Sequence, residues 1–348
     1  MVASARSVPT HSAWRKSPPY PYHHRALRLS SRIGACFVSP SLNFHATTYV
    51  FAHHSKFPKE LRNISSPYYT VLIPAYQSEN TLNACLASAV SALDSSPDYP
   101  GTIQVVDDGS TDHTATIAAH WAQRDPRIHV STHASNQGRA IARNTGLDAI
   151  RTTAAQWVVF LDADNTLSAA TWPMLWAQHN AYPEVDVWIL RMMCVDSQGR
   201  ALGPFYGTRV PFDPVSTLRD QPGQLLLGNF LDQFSAVRMA SLPLAAFDAS
   251  LRYLEDWDLW WRLWYQHSAC FTIAEPMYGT YTVRPHQLTS TFQPDNPVYL
   301  ENWVRIYDKI LTALTLPPAL GDAIAQQREV RRQQLHAAQA KGSLTRAP

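Results

Sequence analysis

Two acidic clusters, each closing an apolar run, constrain this chain more than any other feature. Ile103-Gln104-Val105-Val106 runs into Asp107-Asp108-Gly109-Ser110, and Trp157-Val158-Val159-Phe160-Leu161 runs into Asp162-Ala163-Asp164-Asn165. Short β-branched and aromatic runs of this kind read as buried strands of a parallel sheet. Strands that end in acids gather carboxylates at the carboxyl edge of one sheet, where open α/β sheets bind their ligands. Desolvated acids repel one another, so such a cluster calls for a cation or a hydrogen-bonding ligand. The Asp-x-Asp spacing suits a divalent metal with oxygen ligands, and that metal in turn suits a diphosphate. The pattern points to an enzyme acting on a nucleotide diphosphate.

The surrounding sequence alternates in the way such a sheet requires. Tyr69–Ile73 predicts a strand stopped by Pro74, and Asn80–Leu93 carries apolar residues at helical spacing with Asn80 or Ser78 as N-cap. After the 103–106 strand, Ser110 or Thr111 caps a helix running to about Gln123. Ile128–Val130 is a short strand, Arg139–Ile150 a helix, and Trp157–Leu161 the next strand. A helix over Ala169–Ala181 and a strand over Val185–Met192 follow. Strands separated by helices imply βαβ units and a mainly parallel, Rossmann-like α/β sheet with flanking helices. Residues 196–230 read as a loop rich in Gly and Pro, of a length that usually serves binding. Two helices, Val298–Leu314 and Pro318–Ala340, form a C-terminal extension.

Charge divides the 348 residues unevenly. Residues 1–66 carry nine Lys and Arg against one acid, Glu60, whereas the remainder is acidic. An acidic body argues against nucleic acid as a partner, because phosphate contacts come from clustered Lys and Arg. The basic leader shows no sustained period and reads as a disordered tail or an over-long start, with a targeting segment or an anionic-surface tether as the alternatives. Cys36, Cys85, Cys194 and Cys270 are scattered without a CxxC pair, which fits a reducing compartment and excludes a structural zinc pattern. No apolar stretch approaches the roughly 20 residues that span a bilayer. These features predict a cytoplasmic protein. Arg328, Arg331, Arg332 and Lys341 on the last helix read as the face of a solvated helix that caps the domain, with peripheral contact at the inner face of a membrane as the alternative.

A third acidic group, Glu255-Asp256-Trp257-Asp258, opens a helix whose Trp257, Trp260, Trp261 and Trp264 recur at helical spacing. The tryptophans predict a core-facing stripe that fixes the helix. Asp256 then sits in the first turn off the apolar face, while Asp258 is placed to pair with Arg262 one turn later.

Five segments occur in one order: Val71–Glu79, Val105–Asp112, Gly138–Leu147, Phe160–Asn165 and Leu254–Trp260. Together they resemble the family-2 glycosyltransferases, which have a GT-A fold, over roughly residues 68–290. The resemblance implies inverting transfer of a single sugar from a nucleotide-diphosphate sugar to the hydroxyl of a saccharide or lipid-linked saccharide acceptor. It implies that Tyr76 stacks on the base and Asp108 accepts a hydrogen bond from it. Pro74, Ala75 and Glu79 would shape that pocket, with Asp107 supporting it. Arg143 and Asn144 would lie against the nucleotide, Asp162 beside the ribose or the metal, and Ala163 and Glu255 within the same binding set. Asp164 would hold Mn²⁺ or Mg²⁺, and Asp256 would be the general base. A helix N-terminus favours the ionised carboxylate, which leaves that base ready but intrinsically weak.

The sequence departs from the family pattern after the catalytic helix, where Tyr281-Thr282-Val283-Arg284-Pro285-His286 stands for Tyr-Arg-x-His. Arg284 is a candidate for the diphosphate and His286 for the metal. The expected organisation is a leader at 1–66, a nucleotide-sugar half at 67–195, an acceptor and catalytic half at 196–290, and a helical extension at 291–348. Two other readings remain at this level: a nucleotidyltransferase on a related sheet, and a non-catalytic nucleotide-sugar-binding module.

Overall fold

The computed structural model describes residues 68–205, 217–218, 220–283 and 295–344. The basic leader, Arg284 and His286 lie outside them. The elements are β1 (Tyr69–Ala75), α1 (Leu82–Asp94), β2 (Gly101–Asp107), α2 (Thr114–Arg124), β3 (Ile128–Thr132) and α3 (Arg139–Arg151). There follow β4 (Trp157–Phe160), β5 (Asn165–Leu167), α4 (Thr171–Ala181), β6 (Val187–Val195), β7 (Ala201–Pro204) and the one-turn α5 (Gln224–Leu227). The chain continues through β8 (Ser235–Arg238), α6 (Glu255–Tyr265), β9 (Phe271–Thr282), α7 (Pro297–Ala313) and α8 (Pro318–Leu344).

One sheet runs in the order β3-β2-β1-β4-β8-β6-β9-β5, with β7 on β6. The strands β3, β2, β1 and β4 are parallel, whereas β8 turns antiparallel to both β4 and β6. The expected parallel sheet therefore holds for the half that carries the acidic clusters, and the second half is mixed. Alternation of side chains across the sheet sorts the core into two layers. Leu72, Val106, Val158 and Phe160 face α3, α6 and α7, while Val71, Ile73, Val105 and Val159 face α1 and α4.

Three expectations about local structure change. Pro74 does not stop β1, which pairs on through Ala75↔Asp107. The β4 ladder ends at Leu72↔Phe160, so the missing Pro N–H falls where that neighbour has already stopped. The caps of α1 and α2 fall at Thr81 and His113, later than expected: Ser110 and Thr111 bond to Gln77 across the turns instead, and the Ser78 amide donates to Thr114. Within 196–230, Ala201–Pro204 forms a strand on β6 and Gln224–Leu227 a helical turn, so the segment is not all loop.

The tryptophan stripe behaves as read. Trp257, Trp260 and Trp261 are fully buried, and Trp257 packs on Trp303 and Tyr307 of α7 with ring centroids 4.5 and 5.6 Å apart. Asp258 pairs with Arg262 at 2.9 Å and with Lys309 of α7 at 2.5 Å. The basic face of α8 turns toward α7: Arg328 and Arg332 reach Asp308, and Arg331 lies over the Trp303 ring. Those three arginines cap the domain. Among the described residues no helix is long and apolar enough to cross a membrane. Gly146 lets α3 lie directly on β1, since a Cβ there would meet Leu72 Cδ1 at 2.1 Å.

Candidate functional site

The carboxyl ends of β1 and β2 form the first part of the site. Asp108 is 3% exposed and saturated. Its Oδ1 accepts from His133 Nδ1 at 2.7 Å and the Gln137 amide at 2.9 Å. Its Oδ2 accepts from Asn136 Nδ2 at 3.0 Å and the Gly138 amide at 2.8 Å. Four donors fill the acceptor capacity of one carboxylate. Asp108 clasps the 133–138 loop that leads into α3. The adjacent Asp107 accepts from the Ser110 amide through Oδ1, while its buried Oδ2 has no partner among the described residues. Gly109 adopts φ +69 with its Cα side hard against the Ser135 backbone, where a Cβ would stand at 2.4 Å.

The turns after β1 and β2 are zipped together. Gln77, at φ 50, donates its side-chain amide to Thr111 and accepts from the Thr111 and Asp112 backbone. Glu79 accepts from the His113 amide at 3.1 Å and its own amide donates to Asp112. Glu79 is therefore committed to the turn, and Asp112 also serves the start of α2 by accepting from Thr114. Pro74 and Ala75 end β1 beneath them. Tyr76 stands out at 46% exposed, an unusual position for a large aromatic and a ready stacking surface.

At the end of β4, Asp162-Ala163-Asp164-Asn165 makes a tight turn closed by the Asn165 amide on the Asp162 carbonyl at 3.0 Å. Ala163 is buried, while the Asp162 side chain is 40% exposed and Asp164 is partly exposed. β5 then pairs with β9 through Asn165↔Tyr281. Among the described residues no three His, Cys, Asp or Glu side chains are arranged around a common metal position. Asp162 and Asp164 still fit a hard cation that keeps water and takes phosphate oxygens as its other ligands.

Arg143 joins this turn to α6. Its Nη2 donates to Asp162 Oδ1 at 2.9 Å and its Nη1 to Glu255 Oε1 at 2.7 Å, with the guanidinium 5.4 Å from the Phe247 ring centre. Arg139 adds a second contact to Glu255 at 3.2 Å. Arg143 thus stands between two carboxylates. Asn144 turns elsewhere: its amide bonds both the Phe247 N–H and C=O and holds that ring under Arg143.

Leu254 enters α6 in the left-handed region at φ 64, at a cost of about 1–2 kcal/mol. The strained entry puts Glu255 and Asp256 in the first helical turn. Asp256 accepts from the Trp257 amide at 2.8 Å and from Asn229 Nδ2 at 3.0 Å. Desolvation and the neighbouring Glu255 push its carboxyl up to about 6, with Arg139 and Arg143 opposing. Burial thus raises a carboxyl whose first-turn position would by itself favour the ionised form. Asp232 is pushed further, to about 7, by desolvation and by Asp162 and Asp256. Asp162, Asp232, Glu255 and Asp256 therefore face two arginines, and the surplus negative charge suits a cation or a shared proton. Asp232, His133 and Asn136 were absent from the sequence-derived site. Only the Asn136-x-Gly138 turn before α3 carried a readable signal for the last two.

Residues 70–214 match the family described as glycosyl transferase family 2. Over 109 residues the chain is 34% identical to the uncharacterized glycosyltransferase EpsJ of Bacillus subtilis, covering 31% of this chain and 29% of that protein. Over 219 residues it is 30% identical to the O-antigen biosynthesis protein RfbC of Myxococcus xanthus, covering 61% of this chain and 16% of that one. The chain thus spans less than a third of either relative. Its fold is similar to S. aureus TarS 1–349 in complex with UDP-GlcNAc, with a TM-score of 0.56 and 21% identity over 76% of this chain and 72% of the other. It is also similar to the mannosyltransferase PcManGT of Pyrobaculum calidifontis in complex with GDP-Man and Mn²⁺, at TM-score 0.52 and 20% identity over 81% and 76%. These likenesses bear on the fold, which is of the GT-A type.

Proposed function

We propose that this chain, a member of glycosyl transferase family 2 through residues 70–214, moves a single sugar from a nucleotide-diphosphate sugar to an acceptor hydroxyl with inversion. The observation that carries the reading is Asp256: a carboxylate fixed in the first turn of a rigid helix, with its carboxyl raised to about 6. A general base works best with a pKa near the working pH, and this one is ionised at neutrality yet strong enough to take a proton. As the acceptor oxygen attacks the anomeric carbon, its proton passes to Asp256 and the bond from that carbon to the diphosphate oxygen breaks. No second carboxylate is assigned as nucleophile, so one displacement inverts the centre.

Residues 67–195 would bind the donor and 196–290 the acceptor, with 291–348 bracing the catalytic helix through α7. Tyr76 would stack on the base. Asp107, buried at the strand end, would support that pocket, and Asp108 would hold the 133–138 loop around it. The Arg143 bridge would keep the donor edge and the base in fixed relation. Asp164, with Asp162 beside it, would hold Mn²⁺ or Mg²⁺, a Lewis acid that neutralises charge on the departing diphosphate. TarS is complexed with UDP-GlcNAc and PcManGT with GDP-Man and Mn²⁺, which supports a nucleotide-sugar donor here. The acceptor is proposed to be a saccharide or lipid-linked saccharide, reached without a membrane span among the described residues.

Calorimetric titration of UDP, dTDP and GDP into the full chain, with and without Mn²⁺, tests this reading. Metal-dependent binding of one nucleotide is expected. Metal-independent binding, or none by any of the three, contradicts it.

A further inference from the structure

Asn229 lies in the segment between α5 and β8, where the sequence shows no decodable pattern. Its Oδ1 accepts from the Leu231 amide at 3.1 Å. That backbone donor requires the oxygen on its side and so fixes which way the amide faces. The NH₂ group is left pointing at Asp256, and it donates to Oδ2 at 3.0 Å. The turn that leads into that segment, α5, is tied down twice. Trp257 Nε1 donates to the Leu225 carbonyl at 2.6 Å, and Tyr307 Oη donates to the Leu227 carbonyl at 2.8 Å. Asn229 and Asp256 are therefore held on parts of the structure that brace each other.

We infer that Asn229 is a positioning residue for Asp256, clamping its Oδ2 while the Trp257 amide clamps Oδ1, so that the carboxylate meets the acceptor in a single orientation. The inference rests on the reading of Asp256 as the base. Each oxygen keeps a further lone pair for the incoming hydroxyl proton. Among the described groups, Asp256 also faces Glu255 on its own helix, Arg139 and Arg143 from α3, and Asp232 from the segment before β8. The two acids favour its protonated form and the two arginines its ionised form. Asn229 adds the one neutral side-chain donor to that balance, and its bond favours the carboxylate. Hydrogen bonds to charged groups contribute enough to move such a titration by about one to two pH units.

The test is a ¹³C-carboxyl NMR titration of the full chain with labelled aspartate, the Asp256 signal being identified by its loss in Asp256→Asn. In Asn229→Ala the Asp256 midpoint is expected to rise by about one to two units. Asn229→Asp keeps the bond to Leu231 and replaces the donor by an acceptor, so it should fold and raise the midpoint as well. A midpoint unmoved in folded Asn229→Asp overturns the pairing. A loss of stability without a shift marks a structural role only and also overturns it. Turnover that survives in Asp256→Asn overturns the base reading itself and removes the catalytic meaning of the pair, whatever Asn229 does.

Discussion

Arg143 Nη1 lies 2.7 Å from Glu255 Oε1 with both side chains sealed from water, at 1% and 2% exposed. The pair spans α3 and α6, and the other guanidinium nitrogen reaches Asp162 at the end of β4. One side chain therefore couples the donor edge of the sheet to the helix that carries Asp256. Removing a partner from such a pair leaves a buried charge uncompensated. Arg143→Met should cost about 3–5 kcal/mol, read as a fall in the urea midpoint. Arg143→Lys should recover little of it, because one ammonium cannot replace a planar fork holding two carboxylates.

Stability and activity should move in opposite directions with pH. Folding raises the carboxyls of Asp256 and Asp232 to about 6 and about 7, so the folded state holds those protons more tightly than the unfolded chain. Their contribution to stability thus grows as pH falls from about 7 toward the ordinary carboxylate range near 4. Turnover needs Asp256 ionised and should fall as pH drops through about 6. Asp232→Asn should raise the urea midpoint at pH 8 by about 1–2 kcal/mol equivalent, allowing for its partial exposure, and leave it nearly unchanged at pH 4. A wild-type protein whose stability falls steadily from pH 8 to pH 5 would contradict this assignment.

The two adjacent acids of the first cluster should separate cleanly. Asp108→Ala strips four donors of their acceptor and should cost about 2–4 kcal/mol, with amide exchange rising across residues 133–138. Asp107→Asn should leave stability within about 1 kcal/mol, since its buried Oδ2 has no protein partner to lose. Its effect belongs in nucleotide affinity, measured by calorimetry.

The half of the fold that carries the acidic clusters was legible because β1, β2 and β4 are short apolar runs, the last two running into acids. The tryptophan spacing likewise gave α6 and its buried face. β8 was not legible, being four residues of mixed character (Ser235–Arg238), and β9 contains Pro276 and Gly279, which break a strand pattern. Within the site, Asp107 and Asp108 look alike in sequence. Their difference is decided by donors some thirty residues later, at His133, Asn136, Gln137 and Gly138. Arg143 reads as one more cation on a helix until Glu255, 112 positions away, is brought against it. Asn229 and Asp232 carried no local signal, because their chemistry exists only where the 224–238 segment passes Asp256.

The central claim is that Asp256 takes the acceptor proton, and one paired measurement tests it most directly. Sugar transfer and donor binding are compared for wild type and Asp256→Asn, an isosteric change that keeps an oxygen for the Trp257 amide. The account predicts that turnover falls by about 10²–10⁴-fold while nucleotide affinity changes less than about threefold. Turnover retained in the variant, or lost only in proportion to donor binding, would contradict it.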